Sequence, residues 1–135
     1  MQWLIDIVKE WVEAKGYLTG SFVNRGDPDT PDITELGIIG DDTPQTWDIS
    51  SVVPVEAKAV LIFIRAKHSI INKYLMVWAD GQVNNFNRSQ VTTQVADQAI
   101  TAEAIVPMSG TGNIIYKANQ LNFDSATITI KGWWF

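Results

Sequence analysis

Residues 47–135 contain a series of short segments in which side chains alternate in polarity or in size, and this pattern constrains the fold most strongly. In segment 58–67 the side chains of Val60, Ile62 and Ile64 share one face, as expected for a strand. Asp80–Gly81 stands at the end of segment 73–80 and is a typical turn signal. Short strands at near-regular spacing predict a mainly β fold, a β-sandwich of jelly-roll type spanning residues 47–135. Further strands are predicted at Gln90–Val95, Ile100–Val106, Asn113–Ala118 and Ala126–Trp134.

Segments 58–67 and 73–80 are apolar on both faces. In an isolated sandwich each sheet has one face in water, so strands normally alternate between apolar and polar residues. We therefore expect the second apolar face to be covered by an N-terminal arm or by neighbouring subunits. In the last strand, the alternation predicts that Ile128, Ile130 and Trp134 share one face.

The first 17 residues, MQWLIDIVKEWVEAKGY, have the pattern of an amphipathic helix that ends at Lys15–Gly16. The apolar side chains cover an arc of roughly 200°, about twice what a helix lying on one sheet needs. We interpret the segment as a helix that docks on a symmetry mate or a larger assembly. A helix buried wholly against its own domain is the alternative that remains open. The predicted docking residues are Trp3, Leu4, Ile7, Val8 and Trp11.

Residues 18–46 are rich in glycine and proline, which predicts an extended arm with turns and one short strand. The arm contains Arg25, Gly26 and Asp27, the tripeptide that cell-adhesion receptors recognise. Gly26 permits a positive φ, and Pro28 keeps Asp27 out of the helical region. We therefore favour a structural corner over an adhesion ligand, with Arg25 paired to Asp27, to Asp29 or to an acid on another chain.

Composition excludes several classes of protein. The 135 residues suit one domain, and 46% of them are hydrophobic, which excludes global disorder. A net charge of −5 argues against binding to nucleic acid, and the absence of cysteine excludes disulfides and thiolate metal sites. The longest apolar run, Ala59–Ile64, is too short for a membrane span, and early charges interrupt any signal peptide. We expect a soluble protein made in the cytoplasm without an export signal.

No residue pattern indicates catalysis, a metal or a cofactor. His68 is the single histidine, and we interpret it as an exposed loop residue. Asp27, Asp29 and Asp32 are closely spaced, but their spacing is not that of a calcium loop, and aspartates are common in turns. A pair of glycosidase carboxylates is not indicated by any feature, although any two acids can meet in space.

Six tryptophans raise the alternative of a carbohydrate-binding module, because exposed aromatic rings stack on sugars. Trp78 and Trp134 lie on apolar stripes, which predicts that they pack in the core or in an interface. Trp47 and Trp133 remain as candidates for ligand stacking, with a host surface glycan as the ligand.

The segment TWDISSVVPVEAKAVLIFIRAK (46–67) resembles a group of small phage and prophage virion-associated proteins. The likeness extends to residues 15–28, 93–96, 114–119 and 130–135. It implies a phage structural protein, a decoration, head-fibre or tail accessory subunit located in the virion. Similar phage domains are commonly trimeric, so the resemblance also implies a homotrimer. The matching residues are Trp47, Asp48, Ile49, Ser50, Val53, Pro54, Ala57, Lys58, Ala59 and Val60.

These observations together predict a non-enzymatic subunit that binds copies of itself and other virion proteins, and neither nucleic acid nor membrane. The helix and arm are predicted to anchor the subunit while the sandwich faces outward. Beyond the helix residues, the predicted assembly contacts are Arg25, Asp27, Trp133, Trp134 and Phe135.

Overall fold

Short strands separated by turn residues form two antiparallel sheets in the computed structural model, which describes residues 2–4, 6 and 21–135. Residues 2–4 and 6 are helical, and a single-turn 3-10 helix spans Asn85–Asn87. The strands are β1 (Phe22–Asn24), β2 (Ile33–Thr34), β3 (Gln45–Asp48), β4 (Ala59–Lys67), β5 (Tyr74–Ala79), β6 (Ser89–Thr92), β7 (Ile100–Pro107), β8 (Asn113–Ala118) and β9 (Ser125–Trp134).

The strand order confirms the predicted β-sandwich and gives it jelly-roll topology. Sheet A has the order β1-β9-β4-β7, with β2 also paired to β9, and sheet B has the order β3-β8-β5-β6. β1 and β2 pair with successive parts of β9, so they act as one interrupted first strand. The antiparallel pairs are therefore nested: β1 and β2 with β9, β3 with β8, β4 with β7, and β5 with β6. This nesting is a long antiparallel ribbon rolled into two sheets, which is the jelly roll.

The core lies between the two sheets, where side chains at every second position point inward. On β4 these are Val60, Ile62, Ile64 and Ala66, and none of them has exposed surface. Burying an isoleucine side chain contributes about 1.5–3 kcal/mol, so this alternation supplies much of the driving force for folding. Fully buried side chains from the other strands include Leu75, Val77, Ile114, Ile128 and Ile130.

The strands before residue 45 were not predicted to belong to the sandwich. Each of the six strands predicted between residues 58 and 134 is present, with ends that differ by at most three residues. Residues 18–46 were predicted as an arm outside the sandwich, yet β1 and β2 lie within this range and pair with β9. The structure therefore extends the sandwich back to Phe22. These strands have only three and two residues, too few for an alternating pattern to be detected.

Candidate interaction surfaces

The segment between β1 and β2 leaves the edge of sheet A and is closed at its base by Arg25 and Asp32. The Arg25 guanidinium lies 2.6 Å from the Asp32 carboxylate and donates to the Ile130 carbonyl oxygen at 3.1 Å. The Ile130 backbone N–H donates to the same carboxylate at 2.7 Å. Asp32 thus replaces the backbone acceptor that β9 would otherwise find on a continuous neighbouring strand. The segment is a corner fastened to β9.

This arrangement identifies the partner of Arg25. Arg25 was predicted to pair with Asp27, with Asp29 or with an acid on another chain, whereas the structure pairs it with Asp32 in the same chain. The side chains of Arg25 and Asp32 are only 20% and 12% exposed. Asp27 is exposed and lies at a groove of about 350 Å³ that is also lined by Phe63 and Lys131. Because the guanidinium is occupied, the tripeptide forms a corner and does not present its arginine and aspartate together.

Replacing Asp32 by alanine is expected to lower the free energy of unfolding by about 1–3 kcal/mol, because the Ile130 N–H and the Arg25 guanidinium lose their acceptor. Urea denaturation measures the loss, and hydrogen exchange should show faster exchange at the Ile130 amide. Asp29→Ala is the matched control, since Asp29 is exposed on the same segment. Equal stability of the two variants would contradict the role given to Asp32.

A β-bulge in β9 reverses the predicted orientation of the C-terminal tryptophans. Leu61 pairs with Gly132 and Ile62 pairs with Ile130, so Lys131 is an extra residue. Beyond a bulge the side chains change faces. Trp133 is therefore opposite the buried Val60 and packs against the core, while Trp134 points to the outer face of sheet A. The prediction that Trp134 shares a face with Ile130 is wrong for this reason.

The outer face of sheet A carries an apolar band formed by Phe22, Leu61, Ile105 and Trp134. Phe22 and Trp134 are a cross-strand pair with ring centroids 4.8 Å apart. A Cβ on Gly132 would lie 2.4 Å from the Phe22 ring, so glycine is required for this ring to lie across β9. Leu61 pairs with Ile105 on β7, and Phe22 and Ile105 are 44% and 64% exposed. We call these four residues the outer band.

The remainder of this face carries Phe63 on β4 together with several polar groups. Lys131 forms an ion pair with Glu103, and the Arg65 guanidinium donates to the Ser125 hydroxyl. Lys67 and Ser125 pair at the far end of β4 and β9, whereas Ala59 and Trp134 pair at the other end. The outer band thus occupies only the end of the sheet where β1 joins it.

The outer face of sheet B is covered by the chain itself. Met76, Trp78 and Ile115 form a second buried cluster on this face. The β5–β6 connection returns over it, and the Arg88 guanidinium lies 4.1 Å from the centroid of the Trp78 ring. Arg88 also approaches the Met76 sulfur, at 4.0 Å. The prediction that the second apolar face of segment 73–80 requires an arm or a neighbouring subunit is therefore wrong.

The candidates for sugar stacking are not open platforms. Trp47 and Trp133 are both partly buried, and both pack against the core cluster. Each pairs across strands with a fully buried residue, Trp47 with Ile114 and Trp133 with Val60, which orients the rings inward. Both rings therefore pack against the core and are not free to stack on a sugar.

His68 was interpreted as exposed, and the structure shows that it is buried, with 6% exposure. Its Nδ1 atom accepts a hydrogen bond from the Ile70 N–H at 3.0 Å, and Phe123 contacts the ring edge-on. The ring therefore anchors the connection between β4 and β5. Within residues 2–4, 6 and 21–135, no group of three or more His, Asp or Glu side chains is placed to hold a metal ion.

The N-terminal docking residues are described only in part. Trp3 and Leu4 are helical and are 66% and 43% exposed. Ile7, Val8 and Trp11 lie outside the described residues. Phe135 is partly buried, and its N–H donates to the Ser21 carbonyl oxygen at 3.2 Å. In the part of the chain that the structure describes, no helix has the length and apolar character needed to span a bilayer.

Comparisons with known proteins identify no family for this chain and find a similar solved structure. No model of a known protein family matches the chain, and no curated protein matches it. Among solved structures, the chain is similar to the coat protein of tobacco streak virus, with 14% identity and a TM-score of 0.37. The match covers 86% of this chain and 83% of that chain. A TM-score of this size carries no argument about fold or function.

Proposed function

We propose that this chain is a non-enzymatic structural subunit of a phage virion, a decoration, head-fibre or tail accessory protein that assembles as a homotrimer. The observation that carries the proposal is the outer band, an apolar surface on the outer face of sheet A in which Phe22 and Ile105 are 44% and 64% exposed. Contiguous exposed apolar patches mark interaction sites on soluble proteins. The resemblance of residues 46–67 to virion-associated proteins specifies the kind of assembly.

The position of the outer band favours self-assembly together with the N-terminal segment. Phe22 begins β1 directly after Ser21, so the chain enters the sandwich beside the outer band. Trp3 and Leu4 are exposed apolar residues on the same N-terminal side of the sequence. In this proposal the N-terminal helix of one subunit and the outer band of another are joined in one interface, and the rest of the sandwich faces outward.

The described side chains also favour a structural role over catalysis. The single histidine is buried and hydrogen-bonded to backbone, and the two best-defined ion pairs, Arg25–Asp32 and Lys131–Glu103, fasten strands to one another. Jelly-roll domains are common in viral capsids and in lectins. The inward orientation of Trp47 and Trp133 disfavours the carbohydrate-binding alternative.

Multi-angle light scattering tests the proposal. Wild type is expected at three times the 15.0 kDa chain mass, and Ile105→Asp is expected to elute as a monomer because the charge enters the outer band. Its stability as a monomer should change by no more than about 0.5 kcal/mol, since Ile105 is mostly exposed.

Leu121→Asp is the matched control, because Leu121 is 63% exposed but lies in the β8–β9 connection, away from the outer band. This variant should remain a trimer. Trp3→Asp should weaken the trimer if the N-terminal helix contributes to the interface. A wild-type monomer at several hundred micromolar, or a trimer that survives Ile105→Asp unchanged, would rule out the proposed interface.

A further inference from the structure

Four connections meet at one end of the sandwich, which we call the loop end. They are residues 35–44, 68–73, 93–99 and 119–124. The Asp97 N–H donates to the His68 carbonyl oxygen at 2.9 Å, which joins the third connection to the second. The Asn119 side chain donates to the Asn72 carbonyl oxygen at 3.2 Å, which joins the fourth to the second. The Gly40 backbone lies against the Gln120 backbone, which joins the first connection to the fourth, so the loop end is one continuous surface.

Each of these four connections exposes at least one aliphatic side chain. Leu36 is 94% exposed, and the others are between 47% and 63% exposed. Connections between strands are usually polar because their backbone is in water, so an aliphatic residue in every loop of one end is unusual. These residues are Leu36, Ile39, Ile70, Ile71, Val95 and Leu121.

The loops that carry these side chains are held from beneath. The fully buried Thr93 donates to the Ile70 carbonyl oxygen at 2.9 Å and accepts from the Lys73 N–H at 2.9 Å. His68 and Phe123 are buried against each other under the same loops. A surface that is already ordered loses little conformational entropy when it binds. The exposed aliphatic residues are thus presented on a preorganised base.

The connections of the loop end also carry an excess of acidic residues. These connections contain Glu35, Asp41, Asp42, Asp97 and Asp124 against Lys73, and Lys117 on β8 forms an ion pair with Asp42. These residues account for most of the chain's net charge of −5. The Thr43 hydroxyl donates to Asp41 and lowers the pKa of that carboxyl below its ordinary value.

The opposite end differs in charge although it also exposes apolar side chains. Its connections, residues 49–58, 80–88 and 108–112, contain Glu56 and Asp80 balanced by Lys58 and Arg88. Val83 and Phe86 are 78% and 84% exposed there. Of the two sets of connections described, those of the loop end combine exposed aliphatic residues with an excess of carboxylates, whereas those of the opposite end are balanced in charge.

We propose that the loop end is a docking surface for another protein whose contact patch is apolar at its centre and ringed by lysine or arginine. A basic rim complements the carboxylates, and charge complementarity of this kind raises association rates and selects the partner. A second copy of this chain is disfavoured because two loop ends would oppose carboxylates to carboxylates. Anionic lipid and nucleic acid are repelled by the same charge.

This surface is distinct from the outer band. Lys67 and Ser125 lie where β4 and β9 reach the loop end, whereas Ala59 and Trp134 lie at the other end of the same strands. At about 3.4 Å per residue, the outer-band residue Leu61 lies roughly 20 Å along β4 from Lys67 at the loop end. The subunit can therefore bind its copies and a second protein at once, and the two activities can be tested separately.

Amide chemical-shift mapping of the full-length protein with two synthetic peptides tests the proposal. The probe is an amphipathic helical peptide of leucine and lysine, and its control has glutamate in place of lysine. Shifts are expected only with the lysine peptide and within residues 35–44, 68–73, 93–99 and 119–124. Shifts centred on residues 80–88, or equal binding of the glutamate peptide, would overturn the proposal.

Two pairs of substitutions separate the apolar and the charged contributions. Leu36→Ser with Leu121→Ser removes aliphatic contacts, and Asp97→Asn with Asp124→Asn removes charge while Asn keeps the positive φ of position 97 accessible. Each pair is expected to weaken peptide binding roughly tenfold, which corresponds to about 1.4 kcal/mol. The matched control is Val83→Ser with Phe86→Ser at the opposite end, which should bind the peptide like wild type.

Other results of these experiments would overturn the proposal or identify a different occupant of the loop end. Loss of binding in the control pair, or unchanged binding in both loop-end pairs, would overturn the proposal. Concentration-dependent shifts at the loop end without peptide would identify a second copy as the occupant, and binding to phosphatidylglycerol vesicles would identify a membrane. Ile105→Asp should abolish self-assembly and leave peptide binding intact, so failure of the trimer and failure of the docking surface are distinguishable.

Discussion

Gly40→Ala is expected to lower the free energy of unfolding by about 3 kcal/mol, because the two loops in contact at this position cannot accommodate a Cβ. That atom would lie 1.9 Å from the Gln120 carbonyl oxygen and 2.3 Å from its carbonyl carbon. Both are backbone atoms, so no side-chain rotation relieves the clash. The connection at 35–44 must instead move away from the connection at 119–124, which also separates the bases of Leu36 and Leu121 at the loop end.

Gly37→Ala is the control for this prediction. A Cβ on Gly37 would lie 3.4 Å from the Ile33 side chain, which is close to an ordinary contact, so the stability change should stay within about 0.5 kcal/mol. Guanidinium denaturation followed by tryptophan fluorescence measures both variants. If Gly40→Ala proved as stable as Gly37→Ala, the close approach of the two loops would be refuted.

Ile62→Ala is expected to cost about 2–5 kcal/mol, the range for deleting a large aliphatic side chain from a packed core. Ile62 has no exposed surface and lies on the central strand of sheet A, between Ile130 on β9 and Ala104 on β7. Such a loss is a large share of the total stability of a domain of this size, about 5–15 kcal/mol. Urea denaturation measures the loss, and an unchanged m-value would show that the substitution lowers stability without changing the surface exposed on unfolding.

Ile105→Ala deletes the same atoms from a residue on a neighbouring strand that is 64% exposed. In the monomer this change should cost no more than about 0.5 kcal/mol. Because both substitutions are isoleucine to alanine in a strand, the difference between the two stability losses reports the effect of burial alone. Equal costs at the two positions would mean that β4 does not face the interior as the alternation requires.

The strands from residue 58 onward were predictable because each one is long enough to show its period. The jelly-roll class was predicted from the number and spacing of these strands, and the nested pairing confirms it. Phe22–Asn24 and Ile33–Thr34 were not predicted as part of the sandwich, because such short pieces have no pattern of their own and are strands only through pairing with β9.

Three misassignments have one cause, which is that local pattern does not reveal what an atom meets from a distant part of the chain. Lys131 adds one residue to β9, and only the pairing with β4 shows that Trp133 and Trp134 exchange faces. His68 is buried because Phe123, from the β8–β9 connection, packs edge-on against the ring. Trp78 needs no second chain because Arg88, ten residues later, lies on its outer surface.

Some of the proposed interaction residues could be identified from the sequence, and others only from the structure. The apolar residues Trp3 and Leu4 were identified from helical spacing alone, and the structure finds them exposed. The loop end was not predicted, since each of its residues is unremarkable within its own loop. Counting the charges of each connection would have found the acidic excess, but only after the strand order had shown which connections share an end.

From the sequence alone it follows that the chain is a two-sheet β protein with an apolar interior, because the side-chain period of a strand is a local property that neighbouring residues express. The tertiary structure alone decides which surfaces are available for binding. Nested antiparallel pairing joins β1 and β2 to β9 and groups the connections alternately at two ends, so that four loops distant in sequence become one acidic, aliphatic surface. Such a surface is a property of proximity in space, and proximity arises only when the ribbon has folded.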